Sequence, residues 1–325
     1  MKLHGSNISA KQLRCEYQID PLGMDSPKPR LSWIVTSAKR DQRQSAYRII
    51  CASSRADLRA DHGDLWDSGK VPSSETAHIP YAGRPLRSHQ CCYWKVCVWD
   101  GRNRPSKCSA TALWTMGLLK PDDWHALWIG YDAPLKTTKI TKTKYGPLTL
   151  PPPRYLQKHF AIDQPIRRAK LYATALGLYD LNINDKPICD EYLNPGWTDY
   201  DIRTYYRTYD VTNHLHHGDN TVDAILADGW YAGYYGMKHT RHLYGKHTRL
   251  RAMLRIELAD GSIQTIATDR SWKATTGPLR EADLLMGERY DARRKPKAWQ
   301  KVNTTKSVAT QYKPLRIHRC DVLLN

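Results

Sequence analysis

Along residues 251–258, Ala252, Leu254, Ile256 and Leu258 fall on one face and Arg251, Arg255 and Glu257 on the other. That is the period of two that an extended strand imposes. Asp260-Gly261 follows and suits the positive-φ positions of a two-residue hairpin turn. Such a turn sets Leu258 opposite Ile263, Ile256 opposite Thr265 and Leu254 opposite Ala267, with the less polar sides together. Tyr179, Leu181 and Ile183 alternate with Asp180, Asn182 and Asn184 in the same way, ending in a turn at Asn184-Asp185. In the first third of the chain Trp94, Val96 and Val98 share one face, and Tyr93, Lys95, Cys97 and Trp99 the other. Further strands are predicted over Arg30–Val35, Ala46–Ala52, Thr76–Tyr81, Tyr93–Trp99 and Thr111–Met116, separated by turn-forming clusters. The stretch 210–218 predicts a short helical turn closed by Gly218 before a strand over Thr221–Leu226. The pattern is all-β, with helix confined to turns.

Two sandwiches account for this pattern. The spacing of Pro29-Arg-Leu-Ser-Trp33, Ala46-Tyr-Arg-Ile-Ile50, Tyr93-Trp-Lys-Val96 and Ala112-Leu-Trp-Thr115 resembles a fibronectin type III β-sandwich, here over residues 10–119. Residues 154–299 read as a jelly-roll β-sandwich. Between them, residues 120–153 carry a lysine and threonine run from Lys136 to Lys144 and then Pro151-Pro-Pro153, the composition of a linker. Residues 300–325 show little periodicity and read as a basic tail or truncated continuation.

Composition changes this picture little. A chain of 325 residues can bury two cores without staples, and its hydrophobic fraction of 41% and charged fraction of 25% are those of globular proteins. No apolar run approaches the ~20 residues of a membrane span. The first ten residues lack the apolar core of a secretory leader, so cytoplasmic residence is expected. Six of the eight cysteines lie at 15, 51, 91, 92, 97 and 108, none in a CxxC pair; buried free thiols are expected over disulfides, and no zinc site. The net charge of +18 suggests phosphate binding, but the basic residues are scattered and no nucleic-acid motif accompanies them. A solvated basic surface is the expectation, and a specific nucleic-acid partner is not. Phe160 is the only phenylalanine beside 20 tyrosines, so the cores must rely on Trp, Tyr, Leu and Ile.

No phosphate loop, HExxH or GxSxG motif is found, and no catalytic residue is assigned. Histidines cluster at His214, His216 and His217 and at His239, His242 and His247, and read as solvated loops rather than metal ligands. Glu281, Asp283, Glu288 and Asp291 lie close enough to suggest the paired carboxylates of a glycosidase. Their interleaving with arginines around an apolar centre suits salt-bridged packing better.

Four segments carry a more specific signal: Leu176-Gly-Leu-Tyr-Asp-Leu-Asn-Ile-Asn184, Pro195-Gly-Trp-Thr-Asp-Tyr200, Ala227-Asp-Gly-Trp-Tyr-Ala-Gly233 and Gly287-Glu-Arg-Tyr-Asp-Ala-Arg293. With them the chain, over roughly Leu13 to Trp299, resembles the N-terminal, non-catalytic region of the bacterial α-L-rhamnosidases. The resemblance implies accessory modules of an enzyme that hydrolyses terminal α-L-rhamnosyl linkages, whose acidic catalytic residues sit in a helical toroid not recognised here. It further implies rhamnosylated carbohydrate as partner, and a helical catalytic domain or another copy of the chain as a binding surface. Some relatives bind rhamnose through calcium in such a module, using an Asp-Asn pair and a second-loop asparagine. Asp190-Glu191 falls where that pair would be, but the loop Gly233–His242 is basic and has no asparagine, so no cofactor is expected. Sugar contact without calcium would fall to Trp197, Trp230, Tyr234 and Tyr235, with the two tyrosines favoured by their glycine-rich loop. The function classes in view are therefore an accessory scaffold that shapes the substrate entrance, a rhamnose-binding module, and a basic interaction surface.

Overall fold

A computed structural model describes residues 6–132, 140–143, 146–236, 240–305 and 316–319. Lys136, Lys144, His239 and Cys320 lie outside them. The chain divides into two compact units, Met1–Asp123 and Trp124–Asn325.

In the first unit Ile8–Cys15 pairs with Arg30–Ser37, which pairs in turn with Ile79–Pro80. A second sheet runs Trp66–Asp67, Gln44–Ala52, Cys91–Asp100, Ala112–Thr115. Trp94, Val96 and Val98 are fully buried, as their alternation requires. Trp94 and Tyr81 both meet Trp114 edge to face, at centroid distances of 6.4 and 5.8 Å. The strand Ile8–Cys15 escaped the periodicity because a bulge between Lys11 and Arg14, with Gln12 at φ 50°, breaks the alternation.

The expectation of free thiols needs correction at one pair: Cys97 and Cys108 form a disulfide. Ser106 and Ser109 donate backbone N–H bonds to the Val98 and Val96 carbonyls, laying that loop along the strand and bringing Cys108 opposite Cys97. Cys15, Cys51, Cys91 and Cys92 are buried and outside any disulfide, and burial pushes the Cys51 thiol well up.

The second unit is a two-sheet sandwich. One sheet runs Lys186–Pro187, Leu178–Ile183, Gly218–Ala227, Arg154–Ile162, Lys273–Thr275, Gln300–Lys301. The other runs Asn303–Thr305, Trp128–Gly130, Arg249–Leu258, Ile166–Leu176, Arg203–Asp210, Arg316–Arg319, with Ile263–Ala267 beside Arg249–Leu258. Leu156, Leu181, Val222 and Leu226 from the first sheet share a core with Leu171, Ala173, Leu254 and Ile256 from the second. Within it the Tyr179 and Tyr209 hydroxyls lie 2.9 Å apart, which satisfies two polar tips in an apolar interior. Trp128, Trp272, Tyr172 and Tyr206 fill the volume that phenylalanine would otherwise take.

Two expectations differ from this arrangement. The hairpin register is one residue off: Leu254 faces Ile266, and Glu257 faces Ile263. Gly261, at φ 87°, ends a three-residue loop in which Asp260 Oδ1 accepts from the Ser262 N–H at 2.9 Å, so a glycine bulge replaces the two-residue turn. The slip turns Ile266 to the core and leaves Ile263 51% exposed. Secondly, the stretch read as linker contains the buried strand Trp128–Gly130, paired to Leu250 on one side and to Asn303–Thr305 on the other. Arg251, which the alternation puts on the polar face, stacks on Trp124 at 5.0 Å and donates to the Ala126 and Trp124 carbonyls. Burial pulls its pKa down to about 10.

Candidate carbohydrate-contact surface

Three of the four aromatic residues singled out in the sequence come together. The Trp197 and Trp230 rings stack at 6.4 Å and 23°, and the Tyr235 ring lies 6.2 Å from Trp197. Trp197 is 51% and Tyr235 42% exposed, whereas buried aromatic clusters hide their faces. Tyr234 is not part of this surface. In the two-residue strand Tyr234–Tyr235, successive side chains point to opposite sides, and Tyr234 turns inward beneath the Arg241 guanidinium, 5.0 Å from its ring centroid.

The rings are held by two segments, one carrying Trp197 and the other Trp230 and Tyr235. Trp197 follows Asn194, a buried residue whose carbonyl accepts from Tyr179 N–H at 2.9 Å and whose side-chain amide donates to the Glu191 carbonyl at 2.9 Å. Trp230 sits in a single helical turn, Gly229–Ala232. Gly229 has φ 53°, and a Cβ there would come 2.5 Å from Leu178 Cγ, so only glycine lets the turn start against that strand. Asp283 Oδ2 accepts from Tyr234 N–H at 2.9 Å and fixes the Tyr235 strand. Behind the loops Tyr200, Tyr231, Trp128 and Leu176 form a small buried cluster.

Sequence reasoning missed the charged group beneath this surface. Asp228, 4% exposed, lies 3.5 Å from Arg154 and 2.5 Å from Arg241. Burial raises its carboxyl pKa, and the two guanidiniums only partly offset that rise. Asp228 precedes Gly229, and Arg241 also covers Tyr234, so the three charges tie both loops to the strand that begins at Arg154. The Asp-Gly-Trp-Tyr motif pointed here, but nothing local in it names the arginines.

Asp190 and Glu191 are exposed and border a cavity of about 710 Å³ that Tyr192 also lines. The Glu191 carboxylate faces Arg207 at 3.0 Å, so a cation would compete with a guanidinium already in place. Among the described residues no group of three His, Cys, Asp or Glu side chains gathers to hold a metal ion. The donor set does not fit calcium, which takes six to eight oxygens. His247 pairs with Asp132 at 3.2 Å, and His214 Nε2 lies 3.0 Å from the Pro187 carbonyl oxygen, so these histidines serve local contacts. The four clustered carboxylates are mostly engaged: Glu281 with Arg289, Asp291 with Arg293 and Arg294, and Asp283 with backbone N–H groups. Glu288 is exposed beside Asp180, whose carboxyl pKa is raised by burial and then by that neighbour.

The fold defines a protein of two β-sandwich modules in one chain. Residues 10–120 match the Rha78A-like N-terminal immunoglobulin domain, and residues 164–322 the alpha-L-rhamnosidase N-terminal domain. An alpha-L-rhamnosidase of Formosa agariphila is 36% identical over 281 residues, covering 86% of this chain, and one of Alteromonas sp. is 38% identical over 288 residues. The chain belongs to the α-L-rhamnosidase family. It spans about 30% of the length of these two relatives. Among solved structures, the alpha-L-rhamnosidase of Streptomyces avermitilis complexed with L-rhamnose superposes with a TM-score of 0.84 at 28% identity, over 92% of this chain and 45% of that one. That of Dictyoglumus thermophilum gives 0.84 at 31% identity, over 96% and 35%.

Proposed function

We infer that the chain serves as the accessory β modules of an α-L-rhamnosidase, with Trp197, Trp230 and Tyr235 shaping the approach of a rhamnosylated glycoside. The observation that carries this is the gathering of the exposed Trp197 and Tyr235 rings with the half-buried Trp230 ring, from two segments of the chain, at one place on the surface. Such rings offer flat faces to the apolar side of a pyranose. Catalysis belongs to a helical domain that this chain would brace: three of the four clustered carboxylates are committed to arginines or backbone amides, which supports packing over acid and base roles.

The test is a calorimetric titration with L-rhamnose and an aryl rhamnoside, with and without calcium, while release of the aryl group is followed. Heat without release, equal in both buffers, is expected. Trp197→Ala should weaken binding about two- to tenfold, the worth of one aromatic contact. Unchanged affinity in both Trp197→Ala and Tyr235→Ala would remove the surface from the reading, and aryl release would overturn the inactive scaffold. The exposed Tyr192 and Leu193 also favour a docking area for a helical catalytic domain.

A further inference from the structure

The second unit holds another concavity of different chemistry. It measures about 930 Å³ and lies between Thr275–Arg280 and Asp291–Gln300, with Tyr131 on its wall. Arg280, Arg293, Arg294, Lys295 and Lys297 line it against one carboxylate, Asp291, an excess of five cations less one anion, or four. Asp291 is already bound to Arg293 at 2.8 Å and Arg294 at 3.3 Å, which holds its pKa down to about 2.

Arg280 is the telling member. Its Nη1 donates to the Gly277 carbonyl at 3.3 Å and its Nε is enclosed by protein, which fixes the guanidinium while the half-buried side chain lines the cavity. A guanidinium held in one orientation loses little freedom when it donates charge-assisted hydrogen bonds to an anion. Burial, then repulsion from Arg294 and Arg289, also lowers the Arg280 pKa. The walls are tied down before any ligand arrives: Asp291 N–H donates to the Pro278 carbonyl, Thr275 Oγ1 to the Lys297 carbonyl, and Gln300–Lys301 pairs with Lys273–Thr275.

We propose that this cavity binds an oxyanion, a sulfate ester or carboxylate, carried on the glycan whose sugar rings meet the aromatic surface. The assignment of a glycan rests on the function inferred above. Strand Leu279–Asp283 links the two places: Arg280 faces the cavity and Asp283 holds the Tyr234 backbone, about 10 Å along the strand. A nucleic acid would use the same cations, and the test separates it.

The full chain is titrated at low salt with dextran sulfate, neutral dextran, sodium sulfate and a thymidine oligonucleotide. Dextran sulfate should bind and neutral dextran should not. Arg280→Gln and the pair Lys295→Gln/Lys297→Gln should each weaken dextran sulfate about tenfold, the worth of a charge-assisted hydrogen bond. Lys39→Gln/Lys107→Gln, the same charge change in the first unit, should shift it less than about twofold. Should Arg280→Gln melt early, the double lysine variant decides. The proposal is overturned if the control pair weakens binding equally, if the oligonucleotide binds as tightly as dextran sulfate, or if sodium sulfate alone does. Loss of the rhamnoside heat with dextran sulfate binding intact would sink the aromatic reading alone; the reverse would sink this one alone.

Discussion

Replacing Gly229 by alanine probes the turn that presents Trp230. The residue sits at φ 53°, and its new Cβ would meet Leu178 Cγ at 2.5 Å and Leu178 N at 3.2 Å. Left-handed backbone costs an L-residue ~1–2 kcal/mol, and overpacking ~1–3 kcal/mol, so Gly229→Ala should lose ~2–5 kcal/mol. In a unit of about 200 residues that is a fall of roughly 4–20 °C in melting temperature. Gly218 separates the two parts, because its φ is 86° and nothing lies within 4 Å of its Cβ position. Gly218→Ala should therefore lose only the backbone share, ~1–2 kcal/mol. Scanning calorimetry gives the melting shift, and near-ultraviolet circular dichroism reports the Trp197–Trp230 stack, which only Gly229→Ala should disturb. Equal losses in the two variants, or an unchanged melting temperature in Gly229→Ala, would refute the reasoning from close contact.

Two further outcomes follow from buried charge. Asp228→Ala removes the buried carboxylate that balances Arg154 and Arg241 and should cost ~3–5 kcal/mol in urea unfolding; a loss below ~1 kcal/mol would mean that water or their other contacts balance the guanidiniums. For Glu257, burial raises the carboxyl pKa, but hydrogen bonds from Arg168 and Arg255 outweigh it and leave the folded value below the ordinary 4.5. Its stabilisation is then complete above the unfolded value and fades as pH falls through the folded one. Glu257→Gln should flatten the fall of melting temperature below pH 4.5, and a variant with the parent's acid slope would contradict this.

The fold was most legible where a strand alternates without interruption, as in Cys91–Asp100 and Leu178–Ile183, because one buried face leaves a period of two in the text. It was hidden where one residue breaks the count. The bulge at Gln12 concealed the first strand, and the bulge at Gly261 shifted a hairpin whose existence was plain. The linker composition of residues 120–153 masked Trp128–Gly130, since three residues are too few for any period to show. At the aromatic surface the loops were readable from glycine and tryptophan spacing, but which rings face solvent depends on partners far along the chain. Arg241 draws Tyr234 inward, and Asp228 needs Arg154, 74 residues away, to be balanced. The cation-lined cavity was legible only as scattered charge, because its walls come from segments that the sheet brings together.

The pairing of Trp128–Gly130 with Asn303–Thr305 has a bearing on how such a module is handed from one protein to another. The recognisable motifs end at Arg293, yet the edge of the sheet beside Leu250 is completed by Trp128–Gly130 and then Asn303–Thr305, from both flanks of the motif-bearing stretch. Recombination that copied only the motifs would deliver a sandwich with an open seam. A sound unit therefore needs the plain sequence on both sides of its motifs, which acts as a clasp on the sheet edge.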